Sequence, residues 1–410
     1  MKRAVGMIIL GMLLSAAVLG VQRFPPPQFE SGYTIPTPTT PGPRPAIRDW
    51  VDTGILVLAL CLASYLTLKK RSRKWIAGLM IFSLLYFGFW RRGCVCSVGS
   101  IGNIALAAMD STYVIPAAVL LFFMLPLVFT LFFGRGFCAA VCPLGAMQDV
   151  VLIRPMRVPT SIEVALRLFA YLYLALAVLF AATGSAFLIC RYDPFITFFR
   201  YNGNWNLWVL GISFLLISLF VGRPYCRFLC PYGVILRQLG RLSKWRVTIT
   251  PEECIQCRLC EQACPFNAVV KPVKELPATE IAHSKRRIVL FVLLLPILMA
   301  VGGWIGAAAH PAMAKVHPTV QRAEQGIGGV PPLQVQAVYR QFFYGSIAIG
   351  IFMGLVAGGK LIAAAAIRPQ KEYQAHRAGC FACGRCFAYC PIEIKRRMDK
   401  ELLKANHGDC

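Results

Sequence analysis

With 410 residues, 57% of them hydrophobic, and a mean hydropathy of +0.60, the chain is too apolar for a soluble globular protein. The formal net charge of +25 does not indicate nucleic-acid binding, because basic loops that orient a membrane protein against anionic lipid account for it. We therefore expect an all-α integral membrane protein with about eight transmembrane helices.

The N-terminal segment, residues 1–22, starts with Lys2 and Arg3 and continues as an apolar run. This pattern is typical of a membrane anchor and also of a signal peptide. We favour the anchor because no small-residue cleavage site precedes Gln22. Residues 23–49 are rich in proline and have no apolar period, which predicts an extended segment on the outer surface.

Apolar runs of nearly the length that spans a bilayer predict the membrane helices. They lie at 4–21, 51–68, 75–90, 113–133, 164–189, 205–221, 288–304 and 342–367. Lys and Arg concentrate between alternate runs, so the positive-inside rule places both termini in the cytoplasm. We expect a multi-pass protein of the bacterial cytoplasmic (inner) membrane.

Two cysteine runs have the spacing of a bacterial two-cluster ferredoxin, C-x2-C-x2-C-x3-C-P. In such a run, three thiolates wrap one cubane and the fourth cysteine binds the neighbouring cluster. The repeated threefold spacing argues against a zinc site built from CxxC pairs. The predicted ligands of two [4Fe-4S] clusters are Cys254, Cys257, Cys260 and Cys390 for the first, and Cys264, Cys380, Cys383 and Cys386 for the second.

Two predicted membrane spans separate these cysteine runs. An even number of crossings is needed for the runs to meet on one side of the membrane. We therefore predict a small cytoplasmic ferredoxin domain (α+β) whose halves lie at 246–287 and 368–410. A transmembrane hairpin with an outer loop, residues 288–367, connects them.

The membrane core, residues 50–245, contains an internal repeat in which each unit ends in a CxxxCP motif. Residues four apart lie on one face of a helix, so the two units could bring four thiolates together at the inner membrane boundary. We favour an additional iron-sulfur centre here over buried apolar cysteines or a redox-active dithiol. The residues concerned are Cys138, Cys142, Cys226 and Cys230, with Arg135, Arg223 and Arg227 expected to stabilise a reduced centre by their charge.

Further cysteines precede these motifs on the predicted outer side. Cys94, Cys96 and Cys190 could form a redox metal site, with Asp193 as a fourth ligand. A disulfide is an equal alternative, because an outer compartment favours it. Cys61 is expected to pack within a span, and Cys410 to have no role in binding.

The positions of the histidines argue against a haem in the membrane. The five histidines are all predicted to lie in loops, which argues against a bis-His haem inside the membrane. Electrons that cross the membrane must then use cysteine-bound centres, a flavin or a quinone.

The paired CxxxCP motifs and the ferredoxin spacing resemble the membrane polyferredoxins typified by NosR, NapH and CcoG, most clearly over residues 133–267. The resemblance implies an electron-transfer subunit that connects the quinone pool, or a cytoplasmic reductant, to an acceptor at the outer face. No part of the chain matches the outer FMN-binding domain of NosR, so we expect a separate flavoprotein or another redox partner. The hairpin that splits the ferredoxin halves and Cys94-Val95-Cys96 also depart from the family pattern.

Two other functions are compatible with the same residues. The first is a CcoG-like metal reductase that acts on cupric ion, and the second is an assembly or redox-sensing protein. If the protein transfers electrons, we predict no catalytic residue. The sequence does not identify the electron donor or the electron acceptor.

Overall fold

The computed structural model describes residues 46–93, 96–249, 254–272, 277–326, 329–366 and 372–407. The predicted anchor at 1–22, Cys94 and Cys410 lie outside these residues, as does nearly all of the proline-rich segment. The end of that segment differs from the prediction, because a helix already begins at Ala46.

The first part of the chain is built from helices that alternate with short π-helical stretches. The stretches are Leu66–Lys70, Leu84–Trp90 and Phe137–Val141. The helices are α1 (Ala46–Tyr65), α2 (Arg73–Ser83), α3 (Ser100–Met109), α4 (Ala117–Phe133), α5 (Pro143–Val150), α6 (Thr160–Ala182), α7 (Leu188–Arg191), α8 (Ile196–Arg200), α9 (Trp205–Ser218), α10 (Pro224–Phe228) and α11 (Pro231–Leu242).

The second part combines long helices with a short strand pair. The helices are α12 (Leu259–Gln262), α13 (Ala278–Ala314), α14 (Pro318–Glu324), α15 (Pro332–Ala365), α16 (Arg385–Ala388) and α17 (Pro391–His407). Strands β1 (Val269–Val270) and β2 (Gln374–Ala375) pair antiparallel, with Val269 opposite Ala375. This pair joins the two segments that the sequence assigns to one ferredoxin domain.

In the part of the chain that is described, four helices are long and apolar enough to cross a membrane: Ile47–Lys70, Thr160–Ala182, Thr279–Ala314 and Pro332–Ala365. Three shorter apolar helices correspond to α3, α4 and α9. The predicted run at 75–90 is α2 continued by a π-helical stretch. The run at 164–189 ends early, because Gly184 adopts a left-handed conformation (φ 68°) just after α6.

Helices α13 and α15 form a tightly packed hairpin. Glycines line the contact, and the backbone of Gly302 lies directly against that of Gly350. A Cβ atom at Gly306 or Gly354 would likewise meet the backbone of the opposite helix. Small residues permit this close approach, as in other membrane helix pairs.

The histidine prediction is wrong in part. His283 and His310 lie within α13, and His407 ends α17. The error arises because α13 continues past both ends of its apolar run, so residues that appear to flank a span are still helical.

One large apolar core connects the membrane helices to the ferredoxin segments. It includes Leu60 of α1, Tyr225 of α10 and Tyr232 of α11, together with Phe266 and Phe387 beside the ferredoxin cysteines. The CxxxCP motifs and the ferredoxin cysteine runs are therefore packed against each other rather than joined by a flexible linker.

Candidate metal centres

The structure groups the ferredoxin cysteines across the two runs. Burial, together with the nearby thiols of Cys254, Cys257 and Cys390, raises the pKa of Cys260 to about 11. The other set is grouped in the same way: burial raises the pKa of Cys386 well above its ordinary value, with further increases from Cys380, Cys383 and Cys264. Each group thus takes one cysteine from the opposite run.

Both runs share an unusual backbone conformation between their cysteines. Gln256 and Arg258 in the first run, and Ala382 and Gly384 in the second, have positive φ angles between 56° and 76°. Left-handed residues turn the backbone sharply, which allows successive cysteines of each loop to approach one another. Backbone amides also donate to sulfur, from Ala382 to Cys380 Sγ at 3.3 Å and from Ala268 to Cys264 Sγ at 3.4 Å.

The CxxxCP cysteines do not lie on one continuous helix, contrary to the prediction. Cys138 belongs to a π-helical turn, whereas Cys142 has an extended conformation (φ −74°, ψ 117°) and precedes α5. Cys230 is extended in the same way before α11. The physical reason is the proline that follows each second cysteine, because a residue before proline is disfavoured in the α region.

The four CxxxCP cysteines nevertheless come together. Burial raises the pKa of Cys230 well above its ordinary value, and the nearby thiols of Cys226, Cys142 and Cys138 raise it further. Two amide groups donate to this set: Gln148 Nε2 to Cys226 Sγ at 3.3 Å, and the Gly233 backbone to Cys230 Sγ at 3.3 Å. Gly145 and Gly233, at equivalent positions of the two motifs, pack against the carbonyls of Cys138 and Cys226.

Three buried arginines connect the CxxxCP motifs to the ferredoxin loops. Arg135 Nη1 donates to the Ala378 carbonyl at 3.3 Å, and its guanidinium lies 4.1 Å from the Phe381 ring centroid. Arg227 Nη1 donates to the Pro265 carbonyl at 3.4 Å. Arg223 lies near the rings of Phe266 and Phe381 and donates to the Ala139 carbonyl at 3.2 Å.

Two buried carboxylates pair with two of these arginines, Arg223 and Arg227, and sequence analysis missed both. Asp149 pairs with Arg73 at 2.9 Å, Arg385 at 3.1 Å and Arg223 at 3.5 Å. Burial alone would raise the pKa of Asp149, but the three arginines outweigh burial and hold it below its ordinary value. The signal in the sequence was a lone acid shortly after a CxxxCP motif in a strongly basic chain.

Glu163 is the second of these carboxylates. It pairs with Arg227 at 2.7 Å and also with Arg167. Arg167 and Arg237 line a small cavity together with Cys226 and Cys230. An acid and a base four residues apart at the start of an apolar helix resemble a surface pair, so their burial was not evident from the sequence.

The structure describes two of the three cysteines predicted for the outer site, Cys96 and Cys190. Cys190 Sγ lies next to Gly99, and Cys96, Cys190 and Asp193 line one cavity of about 300 Å³. Burial and the nearby Asp193 raise the pKa of Cys96 to about 12. Cys96 and Asp193 also border a second cavity that reaches Cys142.

Among the described residues, no group of three His, Cys, Asp or Glu side chains is arranged to hold a single metal ion. A cubane differs from a single ion because it spreads its ligands over four iron corners. The donor chemistry fits such a cluster, since every candidate group consists mainly of thiols. Buried arginine Nε atoms without a hydrogen-bond partner lie beside these thiols, at Arg135, Arg167, Arg223, Arg227 and Arg237.

Comparison with protein families finds a 4Fe-4S binding domain at residues 115–159 and again at 204–250. A second model with the same description matches residues 247–270. The first model therefore covers both CxxxCP motifs, and the second covers the first ferredoxin run. These matches support a membrane polyferredoxin of the NosR type.

Curated relatives agree with this assignment. NirI of Paracoccus denitrificans is 29% identical, over 53% of this chain and 35% of NirI. The regulatory protein NosR of Pseudomonas aeruginosa is 28% identical, over 54% of this chain and 35% of NosR. The methylamine utilization ferredoxin-type protein MauN of Methylobacillus flagellatus is 29% identical, over 37% of this chain and 56% of MauN. No solved structure matches the chain.

The chain spans about half or less of the length of the first curated relatives it matches. These comparisons support bound iron-sulfur clusters and an electron-transfer role in a membrane.

Proposed function

We propose that the protein relays electrons along three groups of cysteines. The first is the pair of ferredoxin sets, the second is the CxxxCP set, and the third is an outer site with Cys96, Cys190 and Asp193 that exchanges electrons with a redox partner. Iron-sulfur clusters supply one-electron transfer when bound. The chain's own residues hold the clusters, balance their charge and keep the groups in series.

The contact of Arg135, Arg223 and Arg227 with the ferredoxin loops is the observation that carries this proposal. Each arginine follows the glycine or the first cysteine of a CxxxCP motif and reaches a backbone or ring beside a ferredoxin cysteine. A function confined to the ferredoxin domain would not require the three arginines to be buried between the CxxxCP motifs and the ferredoxin loops. Their position favours electron exchange between the regions.

Charge balance favours a metal centre at the CxxxCP cysteines. The arginines at this site outnumber their buried carboxylate partners, Asp149 and Glu163. A buried cation without a counter-charge costs several kcal/mol. Neutral thiols would not supply negative charge, whereas thiolates that hold an iron-sulfur centre would.

The membrane arrangement belongs to the same proposal. About eight spans, an internal repeat of span and CxxxCP motif, and cytoplasmic termini would place the ferredoxin sets inside and the Cys96 site outside. The cavity bordered by Cys96, Asp193 and Cys142 supports this order, because it lies between the CxxxCP set and the outer site. A quinone or a flavoprotein remains the proposed donor or acceptor.

The test is the iron and acid-labile sulfide content of the anaerobically purified chain. The ferredoxin sets account for about eight irons, and a further centre raises the count to about ten to twelve. Replacing Cys142 and Cys230 by Ser should remove the excess and leave about eight irons. Cys61→Ser is the control, since this thiol is exposed whereas Cys142 and Cys230 are buried. An unchanged iron count in the double variant would refute the membrane centre.

Metal reduction is the second candidate, and the outer cavity favours it. The cavity of about 300 Å³ lined by two thiols and a carboxylate would admit a cupric ion as a passing substrate, although these three side chains are not arranged to hold it; the ion would take one electron from the reduced protein and become cuprous. Dithionite-reduced protein, freed of excess reductant, should then reduce cupric ion without a partner and lose this activity on Cys190→Ser. Inactivity until a flavoprotein or quinol is added favours the relay.

A further inference from the structure

A cleft of about 1280 Å³ opens where α1 and α4 end and the segment after α11 begins. Its wall is apolar and aromatic. Phe133 stacks on Trp245, with 5.4 Å between ring centroids, and the Trp245 amide donates to the Phe132 carbonyl at 2.8 Å. Tyr65 and Trp245 remain 56% and 49% exposed, although they face this cleft. Such exposed aromatic residues are typical of a membrane–water interface.

The cleft continues onto the apolar surface of a membrane-spanning helix. Cys61 lines it, and the neighbouring Leu58 and Leu62 on α1 are 69% and 45% exposed. The same span ends in Lys69 and Lys70. The cleft therefore has an apolar side toward the bilayer and a polar end at its surface.

At the polar end of the cleft, all the charged side chains among the described lining residues are basic. Its basic residues are Lys69, Lys244, Arg246 and Arg377. None of these four forms an ion pair with a described carboxylate, whereas nearby Arg71 pairs with Glu393 at 2.7 Å and Arg73 with Asp149 at 2.9 Å. Burial and the adjacent Arg377 lower the pKa of Arg246, as expected for two cations that face each other.

We propose that this cleft binds one anionic glycerophospholipid. The phosphate lies among Lys69, Lys244, Arg246 and Arg377, and the acyl chains lie against Phe129, Phe133 and the exposed side of α1. Charge complementarity selects an anionic over a zwitterionic headgroup, because basic pockets between membrane helices attract anionic lipid. A soluble anion would satisfy the four cations but would leave the aromatic wall exposed.

The position of Arg377 gives the bound lipid a structural role. Arg377 lies just after β2, which pairs with β1 of the other ferredoxin half. A phosphate bridging Arg377 to Lys69 and Lys244 would hold this half of the ferredoxin domain against the end of α1. The lipid site does not depend on which cysteines bind clusters.

The experiment measures lipid retention by the full-length chain in detergent, using native mass spectrometry. Phosphatidylglycerol and phosphatidylcholine with identical acyl chains are offered in equal amounts. We expect retention of phosphatidylglycerol, and at least about a tenfold loss of it in the triple variant Lys69→Gln, Lys244→Gln, Arg246→Gln, since each basic residue contributes about 1 kcal/mol to such binding. The matched control removes three exposed cations at the start of α13: Lys285→Gln, Arg286→Gln, Arg287→Gln.

Several results would overturn the proposal. Equal retention of both lipids would exclude headgroup selection, and equal losses in the two triple variants would reduce the effect to total charge. Complete displacement by inorganic phosphate would show that the acyl chains do not contribute. Recovery of an isoprenoid quinone from the cleft in place of phospholipid would assign it another occupant. Size-exclusion profiles identical to that of the unmodified chain confirm that both variants are folded.

Discussion

Arg223 shows how one side chain connects the parts of this protein. It is fully buried, its backbone is left-handed (φ 50°), and its guanidinium contacts the first CxxxCP motif while belonging to the second. Asp149 compensates its charge and also binds Arg73 and Arg385. One carboxylate therefore forms ion pairs with arginines from three separate segments of the chain.

Replacing that carboxylate should destabilise the fold. Asp149→Asn removes the counter-charge of a buried arginine, and breaking such a buried pair costs about 3–5 kcal/mol. Denaturant unfolding in detergent measures the change. Asp399→Asn, at an exposed position of α17, serves as the control and should change stability by less than about 0.5 kcal/mol. A similar small change for Asp149→Asn would contradict the role assigned to this residue.

Gln148 offers a test of the CxxxCP centre through its reduction potential. Its side chain donates to Cys226 Sγ, and its Oε1 accepts from the Tyr225 amide at 3.0 Å. Hydrogen bonds to cluster sulfur stabilise the reduced form, so Gln148→Leu should lower the midpoint potential of this centre and leave the ferredoxin clusters unchanged. Redox titration followed by electron paramagnetic resonance checks this.

Gln238→Leu is the matched control for that titration, because Gln238 donates to the Tyr171 hydroxyl instead of to sulfur. An identical potential in all three proteins would show that Cys226 does not belong to a redox centre.

At the scale of elements, prolines and glycines decide where the helices end and how closely they pack. The CxxxCP prolines turn each second cysteine out of a helix, and the glycines of α13 and α15 bring their backbones into contact. The hairpin separates the ferredoxin halves in sequence, so we expect its packing to bring the halves together.

A bulky residue at the hairpin contact should separate the two ferredoxin halves. Gly350→Leu would place a side chain on the Gly302 carbonyl, and overpacking of this kind costs about 1–3 kcal/mol. Loss of both ferredoxin signals in electron paramagnetic resonance, with a lower unfolding temperature, is the expected result. Gly359→Leu on the same helix is the control, since its added Cβ meets no other atom within 4 Å. Intact signals in Gly350→Leu would mean that the halves assemble without the hairpin.

Sequence reasoning predicted more of the cysteine chemistry than of the geometry. The spacing predicts that Cys390 binds with the first run and Cys264 with the second, because the ferredoxin pattern takes one ligand of each cluster from the other run. Pro143 could have predicted that the helix breaks at Cys142. The spacing of four residues between Cys138 and Cys142 instead suggested that both cysteines lie on one face of a continuous helix. The position of Asp149 after a CxxxCP motif was a signal, but its burial and that of Glu163 could not be predicted, since burial depends on packing between segments that are distant in sequence.

For the whole molecule, the exchange of cysteines between the halves leads to a test by paired substitution. If Cys254 and Cys390 bind the same cluster, then replacing both by Ser should remove one cluster and about four irons. Cys254→Ser with Cys264→Ser should affect both clusters and remove about eight. The two variants carry the same number of substitutions, so general loss of stability would lower the iron content equally. Iron analysis of both variants after anaerobic purification distinguishes the swapped ligand sets from two clusters that each use the cysteines of one run only. In the second case, Cys254→Ser with Cys390→Ser would cause the larger loss of iron, and Cys254→Ser with Cys264→Ser the smaller.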